Sequence, residues 1–187
     1  MAQYDLFCGR LVRLCAPATE DADLMASWSE DPEYQRQLDT DYARPQTAKQ
    51  IEERFLQPGA NEVLFHLHTL TDKRMIGFLA LHSIEWNNGA AVLSMGIGDA
   101  KYRGKGYGSD ALRLGLNYAF SELNLYRVGL DVIASNTRAI RAYEKAGFRL
   151  EGAMRAAVYR DGVRVDRLIM GILRPEWELH FSQQGKA

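Results

Sequence analysis

Residues 103–108 place three glycines and two cations in six positions, a composition that suits the binding of a phosphate group. Glycines let backbone N–H groups approach an anion closely, and a following helix offers unpaired N–H groups and a partial positive charge. Strand-like residues 91–97 precede this segment, and helix-like residues 111–120 follow it. We therefore predict a pyrophosphate cradle at the junction, formed by Arg103, Gly104, Lys105, Gly106, Tyr107, Gly108 and Ser109.

The better-known phosphate-binding loops do not fit this segment. The chain has no G-x-x-x-x-G-K-[ST] sequence, so a P-loop nucleotidase is disfavoured. The dinucleotide fingerprint G-x-G-x-x-G would need glycine at position 101 or 109, where Lys101 and Ser109 stand. The remaining pattern is Arg-x-x-Gly-x-Gly, which a glycine-rich surface turn would also match when taken alone.

A second segment, residues 136–148, reads Asn-x-x-Ala-x-x-x-Tyr-x-x-x-Gly-Phe. Asn136 is a good helix N-cap, and Gly147 can adopt the left-handed conformation that ends a helix. Between them, Tyr143 shares one helical face with Ala139 and Ile140. A short capped helix packed on a sheet would explain this segment alone, but it would not explain its pairing with the glycine-rich segment.

Together the two segments resemble the acetyl-CoA-binding core of the GNAT superfamily of N-acetyltransferases over about residues 91–150. Residues 123–127, Tyr159 and Asp166 are similar to the branch that contains ribosomal-protein alanine or serine N-acetyltransferases and spermidine N-acetyltransferase. The resemblance implies a mixed α/β (α+β) GNAT fold. Its central sheet should have about seven mostly antiparallel strands, with strands 4 and 5 parallel and splayed, flanked by about four helices. We expect one domain over residues 1–187.

The rest of the chain supplies elements that can position these segments. Strand-like segments fall at residues 11–14, 63–69, 75–85, 90–98 and 128–133, and two further strands are joined by a turn at 160–163. Helices are predicted after an N-cap at Thr19, after a capping box from Thr47 to Gln50, after the glycine-rich segment, and over 136–146.

The resemblance also implies how acetyl-CoA is held and used. The backbone of Gly96, Ile97 and Gly98 should bind the pantetheine and acetyl group, with Asn136 and Arg141 as further contacts. Glycine weakens a strand and often marks a bulge or a close backbone approach, which suits a groove for a thioester. Acetyl-CoA is the expected co-substrate, and no metal is expected.

Tyr143 is the expected general acid, because a tyrosine with a pKa of about 10 is protonated at neutral pH and can donate to a departing thiolate. A buried core aromatic is the alternative role. Glu85, at the end of the third strand, is the candidate general base, with an ordinary surface carboxylate as its alternative. An amine with a pKa near 10.4 is almost wholly charged at pH 7, so the need for a base depends on the acceptor.

The amino-acid composition and the distribution of charge indicate which classes of protein and ligand are favoured. The chain is 47% hydrophobic with a net charge of −1, which favours a globular protein and gives no general indication of nucleic-acid binding. Residues 1–98 hold eight Lys/Arg against fourteen Asp/Glu, whereas residues 99–174 hold fourteen against eight. The basic half suits a ligand with several phosphates. The acidic half suits a cationic substrate or is an ordinary solvated surface.

Other features carry weaker expectations. His66, His68 and His82 invite a metal-site interpretation, but no cysteine or carboxylate at ligand spacing completes a set, so ordinary roles are expected. Cys8 and Cys15 are expected to be reduced thiols. Without a long apolar run or a signal-like N-terminus, we expect a cytoplasmic protein with no membrane partner. A homodimer is one possible assembly.

The sequence thus predicts an acetyl-CoA-dependent N-acetyltransferase. The acceptor would be a primary amine on a protein N-terminus, a polyamine or another small molecule, which attacks the thioester directly. Leu93 aligns where the polyamine enzymes of this branch carry an acidic residue, which weakens the polyamine assignment. Glu33, Asp39 and Asp41 could still serve a cationic substrate, so the acceptor stays open. The alternative function is a non-catalytic acyl-CoA-binding or sensory domain.

Overall fold

Runs of apolar and β-branched residues form seven strands of one sheet in the computed structural model, which describes residues 5–55 and 59–184. The strands are β1 (Val12–Cys15), β2 (Val63–Thr69), β3 (Met75–Glu85), β4 (Ala90–Ile97), β5 (Arg127–Ile133), β6 (Arg149–Arg160) and β7 (Val163–Leu173). They lie in the order β1-β2-β3-β4-β5-β7-β6, and only β4 and β5 pair in parallel. The predicted sheet is confirmed.

Six α-helices lie within the described residues, two more than the predicted number of about four. They are α1 (Ala22–Trp28), α2 (Pro32–Leu38), α3 (Ala48–Phe55), α4 (Tyr107–Asn117), α5 (Thr137–Lys145) and α6 (Arg174–Gln184). Helices α2 and α6 are the unexpected ones. A local signal for α2 was present, because the Asp31 side chain accepts hydrogen bonds from the N–H groups of Glu33 and Tyr34 and is followed by proline.

Of the two helix caps predicted before β2, at Thr19 and Thr47, one is confirmed. Thr47 and Gln50 form the capping box, in which the Thr47 N–H donates to Gln50 Oε1 at 2.9 Å and the Gln50 N–H donates to Thr47 Oγ1 at 3.3 Å. Thr19 caps no helix. It begins a 3-10 turn that runs to Asp21, and α1 starts one residue later.

Strands β4 and β5 separate after a short paired stretch. Residues Ala90–Val92 pair with Arg127–Gly129, and the register goes no further along either strand. The divergent ends leave the β5-facing backbone edge of β4 available from Leu93 to Ile97. This is the predicted splay, and it opens a gap in the middle of the sheet that a ligand backbone can enter.

The two faces of the sheet carry separate cores. On one face, Leu79 and Leu81 pack in the core that includes the apolar side of α4. On the other, Phe78 and Ala80 pack with residues of α1 and α3. Directly opposed residues of an antiparallel pair share a face, so Gly96 and Ser94, which oppose Phe78 and Ala80, lie on the α1–α3 face.

Asp110 fixes the first turn of α4 against β1. Its carboxylate accepts hydrogen bonds from the N–H groups of Leu11 at 2.7 Å and Val12 at 3.1 Å, and Arg113 donates to it at 3.1 Å. Burial by itself would raise the pKa of Asp110, but these hydrogen bonds outweigh it and lower the pKa. The helix that follows the glycine-rich segment is therefore held rigidly. None of the described helices combines the length and apolar character that a membrane crossing requires.

Candidate active site

The gap between β4 and β5 opens into a cleft of about 700 Å³. Most of the predicted site residues line it, namely Gly96, Ile97, Arg103, Gly104, Gly106, Gly108, Ser109, Asn136, Arg141 and Tyr143. They come from the end of β4, the start of α4 and one side of α5. The fold therefore brings together segments that lie about 40 residues apart in the sequence.

The glycine-rich segment has the backbone geometry expected of a cradle. Gly104 and Gly106 have φ angles of +73° and +89°, a region in which only glycine is relaxed. Gly106 is the N-cap of α4. The first N–H groups of that helix therefore point back toward the part of the glycine-rich segment that lines the cleft. This arrangement fits the pyrophosphate of acetyl-CoA, which would be bound by backbone N–H groups and the helix N-terminus.

The Arg103 side chain contacts the end of β4 and the start of α2. Its guanidinium donates to the carbonyl groups of Ile97 at 2.9 Å and Gly98 at 2.6 Å, and it pairs with the Asp31 carboxylate at 2.9 Å. The guanidinium also lies 4.9 Å from the centre of the Tyr34 ring. These contacts use three of its five N–H groups, so the side chain joins the end of β4 to α2, and its phosphate contact stays a prediction.

Three of the residues predicted to contact acetyl-CoA do not line the cleft. Gly98 packs under Trp28, where a Cβ atom would lie 2.0 Å from the indole ring, and its N–H donates to the Ile76 carbonyl. Lys105 is exposed beside the cleft. Tyr107 stacks edge-on against Tyr102 at 5.0 Å. The structure therefore brings the backbone at Gly96, rather than at Gly98, to the cleft.

Helix α5 has the predicted caps and presents Tyr143 to the cleft. The Asn136 side chain accepts a hydrogen bond from the Ala139 N–H at 3.1 Å, and Gly147 ends the helix with a φ of +101°. Tyr143 is half-buried and packs edge-on against Phe148 at 5.8 Å. Burial, with a smaller contribution from the charge of Asp131, raises the pKa of Tyr143 to about 12. Its hydroxyl therefore stays protonated at neutral pH.

Glu85 is not brought to the cleft. It pairs with Ala90 at the β3–β4 hairpin, whereas the glycine-rich segment follows the far end of β4. The eight residues from Ala90 to Ile97 span roughly 23 Å of strand, at about 3.3 Å for each of the seven intervals. The Glu85 side chain is exposed and accepts a hydrogen bond from Asn88 at 2.6 Å. Its position is that of the surface carboxylate that the sequence left as the alternative.

Tyr34 is a cleft residue that the sequence analysis missed. Its hydroxyl lies 2.7 Å from the position that a Cβ atom on Gly96 would occupy, so the missing side chain of Gly96 makes room for it. Burial is the main cause that raises the pKa of Tyr34. The residue comes from the unexpected helix α2, and no motif spacing in the sequence pointed to it.

The three histidines considered in the sequence analysis fall into two groups. His82 lines the cleft, and its Nε2 atom lies 2.9 Å from Ser94 Oγ. His66 is fully buried on β2, and its Nδ1 atom lies 2.7 Å from the Asp21 carboxylate, with His68 3.9 Å from the same oxygen. A carboxylate does join these two histidines, contrary to the expectation from sequence spacing, because the 3-10 turn before α1 carries it to β2.

The cleft is divided by charge. Three basic residues of α5 line one side, namely Arg138, Arg141 and Lys145. Four carboxylates line the cleft elsewhere, namely Glu33 and Asp39, at α2 and just beyond its end, Glu62, just before β2, and Asp131 of β5, which pairs with Arg167. Asp39 is 3.6 Å from Arg54, which reduces its net effect. One side therefore suits phosphate groups and the other suits a cation.

A family model for the acetyltransferase (GNAT) domain matches residues 12–149. The chain belongs to the GNAT acetyltransferase family. It is 38% identical over 120 residues to a probable N-acetyltransferase, YjcK, of Bacillus subtilis (strain 168), in a match that covers 63% of this chain and 65% of that protein. It is 28% identical over 129 residues to the spermidine N(1)-acetyltransferase of Escherichia coli (strain K12), covering 65% of this chain and 69% of that protein.

The fold of this acetyltransferase is also that of a solved relative. The crystal structure of spermidine N-acetyltransferase from Vibrio cholerae, in complex with CoA and spermine, superposes with a TM-score of 0.81 at 22% identity, covering 89% of this chain and 98% of that one. The comparisons confirm the predicted family, the predicted fold and the prediction of an N-acetyltransferase.

Proposed function

We propose that the protein transfers the acetyl group of acetyl-CoA to a primary amine on a small molecule that carries further positive charge. The division of charge in the cleft is the observation that carries this proposal. The basic residues of α5 would face the phosphates of acetyl-CoA, and Glu33 and Glu62 would face the cationic acceptor. The resemblance in sequence to a spermidine N(1)-acetyltransferase supports a polyamine-like acceptor.

Acetyl-CoA would be bound mainly by backbone groups. The N–H groups around Gly104 and Gly106 and at the start of α4 would hold the pyrophosphate. The free edge of β4 near Gly96 would hold the pantetheine and place the thioester opposite Tyr143, which lines the same cleft. The contribution of Arg103 would be indirect, since it fixes the carbonyl groups that end β4.

The acetyl transfer would proceed by direct attack. The lone pair of the neutral amine forms a C–N bond with the thioester carbon, and collapse of the tetrahedral intermediate breaks the C–S bond. Tyr143 donates its hydroxyl proton to the departing thiolate, the new amide nitrogen loses a proton to solvent, and Tyr143 regains one from solvent. Glu85 does not line the cleft, so this proposal assigns the base to another group.

An amine panel tests this function. Purified protein with acetyl-CoA should release free CoA with spermidine and spermine, and more slowly with a short peptide that has a free N-terminal alanine. Glu33→Gln and Glu62→Gln should each raise the KM for spermidine by about two- to fivefold, as expected for exposed charge contacts of up to about 1 kcal/mol. Glu20→Gln, at an exposed position outside the cleft, serves as the control.

Two results would contradict the proposal. Faster turnover of the peptide than of spermidine would favour a protein N-terminus as acceptor. Tight acetyl-CoA binding without turnover of any amine would favour the non-catalytic sensory domain instead. The cytoplasmic location and the homodimer stay predictions from the sequence.

A further inference from the structure

A histidine and a serine meet in the cleft on the acceptor side of β4. His82 Nε2 lies 2.9 Å from Ser94 Oγ, across the antiparallel pair β3–β4. Both side chains are partly buried, and both line the cleft. They are 12 residues apart in the sequence, and the proposed acid Tyr143 makes no use of them.

The pair lies close to where the thioester is expected. Ser94 is two residues before Gly96 on β4 and lies on the same face, about 7 Å away along the strand. That face carries α1–α3, and the Tyr34 hydroxyl covers Gly96 on it. An amine that enters from the acidic side of the cleft would therefore meet Ser94 and Tyr34 before it reaches the acetyl group.

The backbone around His82 is irregular in a way that orients its ring. The register of β3 and β4 shifts between His82 and Glu85, which marks a β-bulge. Ser83, within the bulge, has a φ of +51°, an unusual conformation for a residue other than glycine. Its Oγ atom lies 3.1 Å from His82 Nδ1. Bulges of this kind often redirect side chains next to active sites.

The contacts of the ring match those of an oriented base. Ser83 Oγ can accept a hydrogen bond from Nδ1–H, which leaves the lone pair of Nε2 directed at Ser94. The Ser94 hydroxyl then donates to Nε2, and its oxygen keeps a free lone pair toward the cleft. A hydroxyl between a substrate proton and an imidazole is a recurring arrangement for proton transfer.

We propose that Ser94 and His82 form a proton relay that deprotonates the acceptor amine, an inference that rests on the proposed function. The ammonium form of the acceptor gives a proton to Ser94 Oγ while the Ser94 hydroxyl proton passes to His82 Nε2. The products of this step are a neutral amine, an unchanged serine and an imidazolium. The amine then attacks the thioester, and His82 returns its proton to solvent.

An alkylamine acceptor must lose a proton before it can attack, and the relay would remove that proton. With a pKa near 10.4, such an amine is neutral to only about one part in 2500 at pH 7, but to about one part in nine at pH 9.5. A base in the cleft is therefore important at pH 7 and much less so at pH 9.5. A residue that only supports the local structure would matter equally at both pH values.

The test measures turnover of spermidine by His82→Gln and Ser94→Ala at pH 7.0 and pH 9.5, with acetyl-CoA saturating. Each variant should lose about 10²–10⁴-fold in kcat/KM at pH 7.0, and the loss should shrink at least about tenfold at pH 9.5. The double variant should be close to the worse single variant, because the two residues act as one unit. His68→Gln, the same change on β2 outside the cleft, should behave like the wild type.

Acetyl-CoA affinity and melting temperature are measured for every variant. Both should be unchanged, because the relay lies on the acceptor side and Ser94→Ala removes a single hydroxyl. Folded variants within threefold of wild-type turnover at pH 7.0 would overturn the relay, and so would a loss equal at both pH values. An acetyl group found on Ser94 by mass spectrometry would indicate covalent catalysis in place of the proton relay. Failure of the wild type on every amine would remove the proposed function itself.

Discussion

Replacing Tyr143 by phenylalanine removes the proposed acid and leaves the ring in place. The ring packs edge-on against Phe148 in contact with the main core, so Phe should keep this packing. Only the hydroxyl that faces the cleft is lost. We therefore expect acetyl-CoA affinity and melting temperature to change little, and turnover to fall.

The size of the fall follows from the environment of the hydroxyl. A positioned general acid typically contributes about 10²–10⁴-fold. Burial raises the pKa of Tyr143 to about 12, which makes it a weaker donor than a free tyrosine at about 10. If roughly half of this two-unit change is felt in the transition state, the contribution falls by about tenfold. We therefore expect a loss of about 10²-fold in kcat, toward the lower end of the range.

The assay measures CoA release at saturating acetyl-CoA and spermidine, with pre-steady-state kinetics to show that chemistry limits the rate. Tyr126→Phe, at an exposed position, is the matched control. A folded Tyr143→Phe enzyme within threefold of wild-type kcat would show that the proton comes from water or another group. A loss of melting temperature with normal turnover would instead show that Tyr143 is a structural aromatic.

Three further changes test the site. Gly106→Val should weaken acetyl-CoA binding at least about tenfold, because a β-branched residue is strained at a φ of +89°. The affinity is measured by calorimetric titration. Gly152→Val, which has open space around it, is the control. Arg103→Ala should lower the free energy of unfolding by about 2–3 kcal/mol in urea, and Asp31→Asn by less, since only Arg103 also holds the end of β4. The pKa of about 12 at Tyr143 predicts an alkaline effect: below pH 10 both states are protonated, and between pH 10 and 12 only the unfolded state ionises. Between pH 9 and pH 11.5, wild-type stability should therefore fall by about 2 kcal/mol more than that of Tyr143→Phe, as measured by unfolding at both pH values.

Features encoded by neighbouring residues could be predicted from the sequence. The positive φ angles of Gly104 and Gly106, the cap at Asn136 and the end of α5 at Gly147 each depend on a few adjacent residues. Because the two motifs are local, their resemblance to one family was sufficient to predict the sheet, its splayed parallel pair and acetyl transfer. Helix α2 was missed although Asp31 and the following proline signal its start.

Pairings between distant residues were decided by the tertiary structure. Arg103 suits a phosphate by its charge and its place in the motif, but it lies against Asp31, 72 residues earlier, and against the carbonyl groups that end β4. Glu85 is a reasonable base by chemistry, yet the hairpin holds it roughly 23 Å along the strand from the end of β4. The residue type alone does not predict the position of Arg103 or Glu85, since each position depends on where the fold brings the side chain.

The dependence on tertiary structure is clearest on the side of the cleft where the acceptor amine is expected. Tyr34 reaches Gly96 only because α2 packs over β4, and His82 reaches Ser94 only through the register of β3 and β4 and the bulge that follows it. The sequence by itself determined the family, the fold and the conformation of the glycine-rich segment, because those depend on local conformation. Only the tertiary structure decided which groups lie where the amine is expected, because a shift of one residue in strand register would turn His82 or Ser94 to the opposite face.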